Sequence, residues 1–260
     1  MHCISTVDAL LPEGIDSVVS PHPATPLQCL LFYCNNPIST NRALTEKFYK
    51  QPNVVLIGPQ YSCVNIKVHQ RLTAIRVDFF PGAVYRMLGM PMQELFDDGF
   101  DAFDFFGSDI RSVNEQLQNM TDMHEGKNIV ENFLLRQTIK HKDNVPFDFV
   151  LRNMLHHNGG LSIEKAASLS CLSLKQFERK CQERLGMNPK LFTRIIRFSK
   201  AYRLHEASPH LSWTKIAYET GYYDQMHMIK DFKSFAGVNP RVIEKQLLST
   251  PLRMQQHLQF

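Results

Sequence analysis

The sequence predicts an α+β chain: a β-rich N-terminal domain with a few helices, then an all-α C-terminal domain with two helix-turn-helix units. Three observations carry this: period-2 alternation of apolar residues before residue 80, helical spacing after it, and a repeat of about 50 residues from Leu161 onward. With 260 residues there is room for two ordinary domains, and 43% hydrophobic with 21% charged residues excludes a disordered or fibrous composition.

In the N-terminal part, Val64, Ile66 and Val68 alternate with Asn65, Lys67 and His69, and Ile75, Val77 and Phe79 with Arg76 and Asp78. Each is the pattern of a half-buried strand, and the two are expected to pair. Leu27 to Tyr33 and Val54 to Ile57 add short apolar runs between the turn-formers Ser20-Pro21-His22-Pro23 and Asn35-Asn36-Pro37, which suggests a small sandwich or barrel. After Phe80-Pro81-Gly82 the spacing becomes helical: Val84, Met87 and Leu88, then Ile110, Val113, Leu117 and Met120, then Ile129, Phe133 and Leu134. The acidic, β-rich half with its amphipathic helices is expected to hold the chain in a dimer or to bind a small molecule. Pro146 suits the first turn of a helix that runs to His157 and stops at Asn158-Gly159-Gly160. The expected division is a sensor or dimerisation domain over 1–108, a helical connector over 109–145, the helical domain over 146–248 and a flexible tail over 249–260.

Charge follows that division. Residues 1–150 carry 12 Lys+Arg against 17 Asp+Glu, a net −5; residues 151–260 carry 17 against 8, a net +9. A basic half beside an acidic one points to a polyanion partner for the C-terminal domain. No apolar run approaches the roughly 20 residues of a membrane span, and Met1-His2-Cys3-Ile4-Ser5 lacks the layout of a signal peptide, so a cytoplasmic chain without membrane contact is expected. The six cysteines lack metal-site spacing and read as buried reduced thiols. Catalytic motifs are missing: there is no GxSxG, P-loop, HExxH or dinucleotide glycine fingerprint. A cupin-like metal-dependent enzyme would need several strand histidines, and only His69 lies on a convincing strand. Neither a cofactor nor a metal is therefore expected. The competing readings are such an enzyme, or an interaction protein that reuses the helical fold without DNA; salt-sensitive binding to duplex separates the latter.

The repeat supplies the chemistry. Leu161-Ser162-Ile163-Glu164-Lys165 recurs as Leu211-Ser212-Trp213-Thr214-Lys215, Ala167 as Ala217, and Gly186-Met187-Asn188-Pro189 as Gly237-Val238-Asn239-Pro240, with the offset moving from 50 to 51 at the turn. Each unit reads as a short helix, a tight turn and a longer helix. Ser173 with Gln176 forms a capping box, and Asp224 caps the matching helix. Leu174, Phe177, Cys181 and Leu185 form one arc, with Lys175, Arg179, Gln182 and Glu183 opposite; in the second copy Met228, Phe232, Phe235 and Ala236 form the buried arc, and Met226, His227, Lys230 and Lys233 project away. Trp213 and Ile216 are core by spacing. Gly186 and Gly237 suit left-handed helix ends, Asn188 and Asn239 cap new helices, and Gly221 supplies a turn for which the first copy has Cys171. Between the copies, Leu191, Phe192, Ile195, Phe198 and Tyr202 form the apolar arc of a helix whose Lys190, Arg194 and Arg197 lie elsewhere. Its length of about 27 Å suits two helices near the roughly 34 Å repeat of successive major grooves.

Residues 147–245 resemble the AraC/XylS-type DNA-binding domain, most specifically along Ile216 to Lys233 with Phe235 and Gly237-Val238-Asn239-Pro240. Departures are Met228 where an aromatic is usual, Cys171 for glycine, and Asp231 where a small residue is usual, which would set a carboxylate near phosphate. The resemblance implies a bacterial transcription regulator with base-reading positions Lys175, Glu178, Arg179, Met226, His227 and Lys230. Gln176, Gln182, Gln225 and Lys233 complete the expected DNA-binding set, with Arg194 and Arg197 reaching phosphate only. Double-stranded DNA and RNA polymerase are the implied partners, with a small-molecule effector and a homodimer as further ones. Leu11-Pro12-Glu13-Gly14, Ile57-Gly58-Pro59-Gln60 and Phe79-Phe80-Pro81-Gly82-Ala83 resemble the β-rich sensor domain found in a subset of the family, with the strand before residue 10 missing or very short.

Overall fold

The structure, a computed structural model, describes residues 3–42, 47–138 and 146–249. In chain order it forms β1 (Cys3–Leu10), β2 (Ser17–His22), β3 (Gln28–Tyr33), β4 (Ser39–Arg42), β5 (Tyr49–Lys50), β6 (Val54–Ile57), β7 (Val64–His69) and β8 (Arg71–Phe79). Then come α1 (Ala83–Leu88), a 3-10 turn (Met92–Leu95), β9 (Gly99–Asp101), α2 (Phe103–Gln118), α3 (Met123–Thr138) and α4 (Pro146–His156). The remainder is helical: α5 (Ile163–Leu169), α6 (Leu174–Leu185), α7 (Pro189–Ala207), α8 (Trp213–Glu219), α9 (Gln225–Phe235) and α10 (Pro240–Ser249).

Two antiparallel sheets, ordered β1-β8-β3-β6-β9 and β2-β7-β4-β5, face each other. β8 is covered on both sides. Ile75, Val77 and Phe79 join the core under α2 and α3, while Ala74 and Arg76 face the space between the sheets. β7 is only partly buried, as expected, whereas β8 is not the half-buried strand expected, since its polar Arg76 and Asp78 are buried too, and the two do not pair. β7 pairs with β2 and β4, and β8 with β1 and β3. Gln70, at φ 30, is the corner between them; its N–H donates to Asp16 O and its carbonyl accepts from Leu11 N, so the chain passes from one sheet to the other there. Period-2 spacing says that a strand has a buried face, not which neighbour it pairs with. The strand before residue 10, expected to be missing or very short, is the eight-residue β1.

The expected connector helices are part of the N-terminal core. Ile110, Val113 and Leu117 of α2 and Phe133 of α3 are buried against Leu30, Phe32, Ile75 and Val77. Those apolar faces are thus spent on the sheet. The helical domain has its own core on α4 to α10, and Ala24 and Leu27 from the N-terminal part are buried within it. Residues 139–145 and, beyond Ser249, the expected tail lie outside the described residues.

Candidate nucleic-acid interface

The two helix-turn-helix units are built by the same local chemistry. Ser162 and Ser212 accept from the N–H of Lys165 and Lys215 to start α5 and α8. In the turns, Leu172 N donates to Ala167 O and Tyr222 N to Ala217 O, both at 3.0 Å. The capping box is complete at α6, with Gln176 N donating to Ser173 Oγ and Ser173 N to Gln176 Oε1. On α9 the Asp224 carboxylate accepts from His227 N at 2.8 Å and lies 2.9 Å from His227 Nδ1. The backbone hydrogen bond from His227, seconded by its ring, holds the Asp224 carboxyl below its ordinary value. Because Leu172 matches Tyr222 and the cap Ser173 matches Asp224, the extra residue of the second unit is Tyr223. It is 92% exposed and edge-on to His227, and spacing alone had not marked it as part of this surface. The turn at Cys171 does adopt a left-handed conformation, φ 55, against φ 78 at Gly221. Cys171 is also exposed, unlike the buried thiol expected.

Lys175, Gln176, Glu178, Arg179 and Gln182 are exposed on α6, and Met226, His227, Lys230 and Lys233 on α9. Phe177, Cys181 and Leu185, and opposite them Met228, Phe232 and Phe235, are buried, which fixes the outward arcs. Leu174, placed on the apolar arc, is exposed, and Trp213 is half-buried against the core. Some side chains of the expected set are already occupied. Gln176 serves the cap, Gln182 Nε2 donates to Gly186 O, and the half-buried Gln225 accepts from Thr214 Oγ1. Asp231 is not an exposed carboxylate. It is 6% exposed, accepts from Arg194 Nε and Nη2 at 3.0 and 2.8 Å, and takes the Tyr222 hydroxyl at 3.2 Å. Arg194, expected to reach phosphate, is stacked over Phe235 and ties α7 to α9 through Asp231. Arg197 lies over Tyr222 and reaches Gly221 O at 3.4 Å, beside the second turn.

A second candidate site lies between the sheets, a cavity of about 210 Å³ walled by valine, leucine and isoleucine side chains. Its polar lining residues include Tyr33, Gln51 and Arg76, and the linked Arg42, Asp97 and Asp98. Burial opposes the Arg76 charge, yet Asp78, accepting from Nε at 2.9 Å, helps to keep it above its ordinary value. Arg42 pairs with Asp97 at 3.3 Å and Asp98 at 3.1 Å.

A family model for a helix-turn-helix domain matches residues 166–246. No curated protein matches the sequence. Among solved structures, ToxT from Vibrio cholerae O395 superposes with a TM-score of 0.51 at 11% identity, over 95% of this chain and 99% of that one. Unsaturated fatty acid-bound ToxT from Vibrio cholerae strain SCE256 gives 0.51 at 11% identity, over 96% and 97%. ToxT from strain O395 bound to (E)-4-(8-methylnaphthalen-1-yl)but-3-enoic acid gives 0.50 at 11%, over 94% and 99%. At such identity the likeness is one of fold, and it spans both halves of the chain.

Proposed function

We infer, from a C-terminal region that is a helix-turn-helix domain of the AraC type, that this chain is a sequence-specific DNA-binding transcription regulator. The observation that carries the reading is the matched pair of units: two longer helices, each started by a side-chain cap and followed by a left-handed glycine, each with its apolar arc buried and a basic face outward. Helices α6 and α9 enter two adjacent major-groove segments, with α7 as their spacer. Lys175, Glu178 and Arg179 read one segment and Met226, His227 and Lys230 the other. Tyr223 joins the second set, Lys233 and Arg197 serve phosphate, and Arg194 does not contact DNA. Residues up to α3 form the regulatory part and those from α4 the reading part.

The cavity between the sheets is the effector site in this reading. ToxT, with the same fold, is bound to carboxylic acids in two of the structures above; an apolar space with arginines at hand suits a small molecule of that class. RNA polymerase is the second macromolecular partner, and the protein acts in the cytoplasm. No described helix is long and apolar enough to cross a membrane. A homodimer would use surfaces other than the covered faces of α2 and α3. The test is selection from a random duplex library with the full-length chain, followed by Arg179→Ala. Loss of about 1–3 kcal/mol and relaxed preference at one or two base pairs are expected, since an arginine forked onto guanine carries sequence information. No enriched duplex would overturn the reading.

A further inference from the structure

The N-terminal part grips the C-terminal end of each reading helix. At α6, the Tyr85 hydroxyl donates to Glu183 at 2.7 Å and the Arg184 guanidinium lies 5.0 Å over the Tyr85 ring. Arg86 and Arg184 both pair with the buried Asp148, at 3.4 and 3.1 Å. The carbonyl of Met92 sits so close to Gly186 that a Cβ there would lie 2.8 Å from it. At α9, Tyr61 shares a hydroxyl hydrogen bond with Ser234 at 3.0 Å, its ring stands edge-on to Phe235, and Ala24 N donates to Phe235 O. The two grips come from segments far apart in sequence, and Asp97 joins them. It follows the Met92–Leu95 turn with φ 58, and its own N–H donates to Pro59 O at 2.7 Å. Its Oδ1 accepts from the N–H groups of Tyr61 and Ser62, both at 2.8 Å, and its Oδ2 from Ser62 Oγ at 2.7 Å and from Arg42.

We propose that Asp97 is a positioning residue that sets the separation of the two reading helices, by locking the loop that holds α9 to the segment that holds α6. This rests on the DNA-reading function above. One carboxylate fixes two backbone amides and a hydroxyl of the Tyr61 loop, and no local turn replaces those bonds if it goes. The same carboxylate pairs with Arg42 and both line the cavity, so a molecule bound there lies beside the residue on which both grips depend. A rigid pair of reading helices fits one half-site spacing and rejects others; a loosened pair binds the right spacing less well and the wrong one with less penalty.

Asp97→Gly is the sharp perturbation, because glycine tolerates the left-handed backbone and removes both carboxylate oxygens, whereas asparagine would keep an oxygen able to accept from Tyr61 N and Ser62 N. The selected duplex and a copy with one base pair inserted between its half-sites are titrated with full-length wild type, Asp97→Gly and Tyr61→Phe. Wild type should favour the selected duplex strongly, and Asp97→Gly should lower that ratio about tenfold, with Tyr61→Phe lowering it less, as expected when an effective concentration is relaxed. Amide exchange should rise in the last turn of α9 and stay unchanged in α8. An equal loss on both duplexes, or none, would overturn the proposal, since a merely structural role lowers the active fraction without touching the ratio. If wild type enriches no duplex, the DNA reading falls and the exchange result alone decides whether Asp97 holds α9.

Discussion

Replacing Asp231 by alanine tests whether Arg194 belongs to the fold or to the DNA surface. The substitution removes two hydrogen bonds from the Arg194 guanidinium and one from the Tyr222 hydroxyl. Charge-assisted bonds contribute roughly 1.5–3 kcal/mol each, but the Arg194 side chain is 37% exposed, so water takes over much of that loss. The buried Tyr222 hydroxyl has no such recourse and costs about 1–3 kcal/mol when left unpaired. A net loss of about 3 kcal/mol is expected, or a melting midpoint lower by about 6–12 °C at this chain length. Asp231→Asn, which keeps an acceptor for Tyr222, should lose about half as much by the same bookkeeping. Chemical denaturation of the full chain measures these values, and the salt dependence of duplex binding completes the test. Arg194→Met should destabilise the protein but leave the slope of log affinity against log salt unchanged, because a residue held on Asp231 releases no counterion. A slope flattened by about one unit with unchanged stability would refute the assignment and return Arg194 to phosphate.

Arg197→Ala should weaken all duplexes alike and flatten that same salt slope by about one unit, read by titration at several salt concentrations. Gly221→Ala should cost about 1–2 kcal/mol from backbone strain alone, because nothing lies within 4 Å of a Cβ built there; denaturation showing no change would refute it. Burial holds His205, stacked 4.1 Å from Trp213, below its ordinary 6.5, so the unfolded chain takes up a proton near that pH which the folded chain refuses. Stability should therefore fall as pH drops from 7.5 to 5.5, and the fall should be smaller in His205→Gln, by thermal melting. Under native conditions a thiol reagent should label Cys171 first, because burial shields Cys181 and pushes the Cys63 thiol up to about 12; earlier labelling of Cys63 or Cys181, located by peptide mapping, contradicts this.

What the sequence determined by itself is what short-range chemistry decides. The capping box at Ser173 and Gln176, the caps at Asn188, Asp224 and Asn239, the glycine end of α6 and the buried arc of α9 all involve partners within about four residues or one helical period, and all are present as read, while α9 closes on Ala236, one residue before its glycine. The repeat and its one-residue slip at the turn were legible for the same reason, since each unit encodes its own start and stop. Tertiary structure decided everything that depends on who lies alongside. Period-2 spacing could not tell that β7 and β8 part at Gln70 into different sheets, because a strand's buried face looks the same whichever neighbour covers it. A helical wheel put Arg194 on a polar arc but held no information about Asp231, 37 residues further on, or about Tyr222, and so missed the ion pair that ties α7 to α9. The grip of Tyr61 and Tyr85 on the two reading helices arises from contacts across 173 and 98 residues, where only the assembled chain brings the partners within hydrogen-bonding distance.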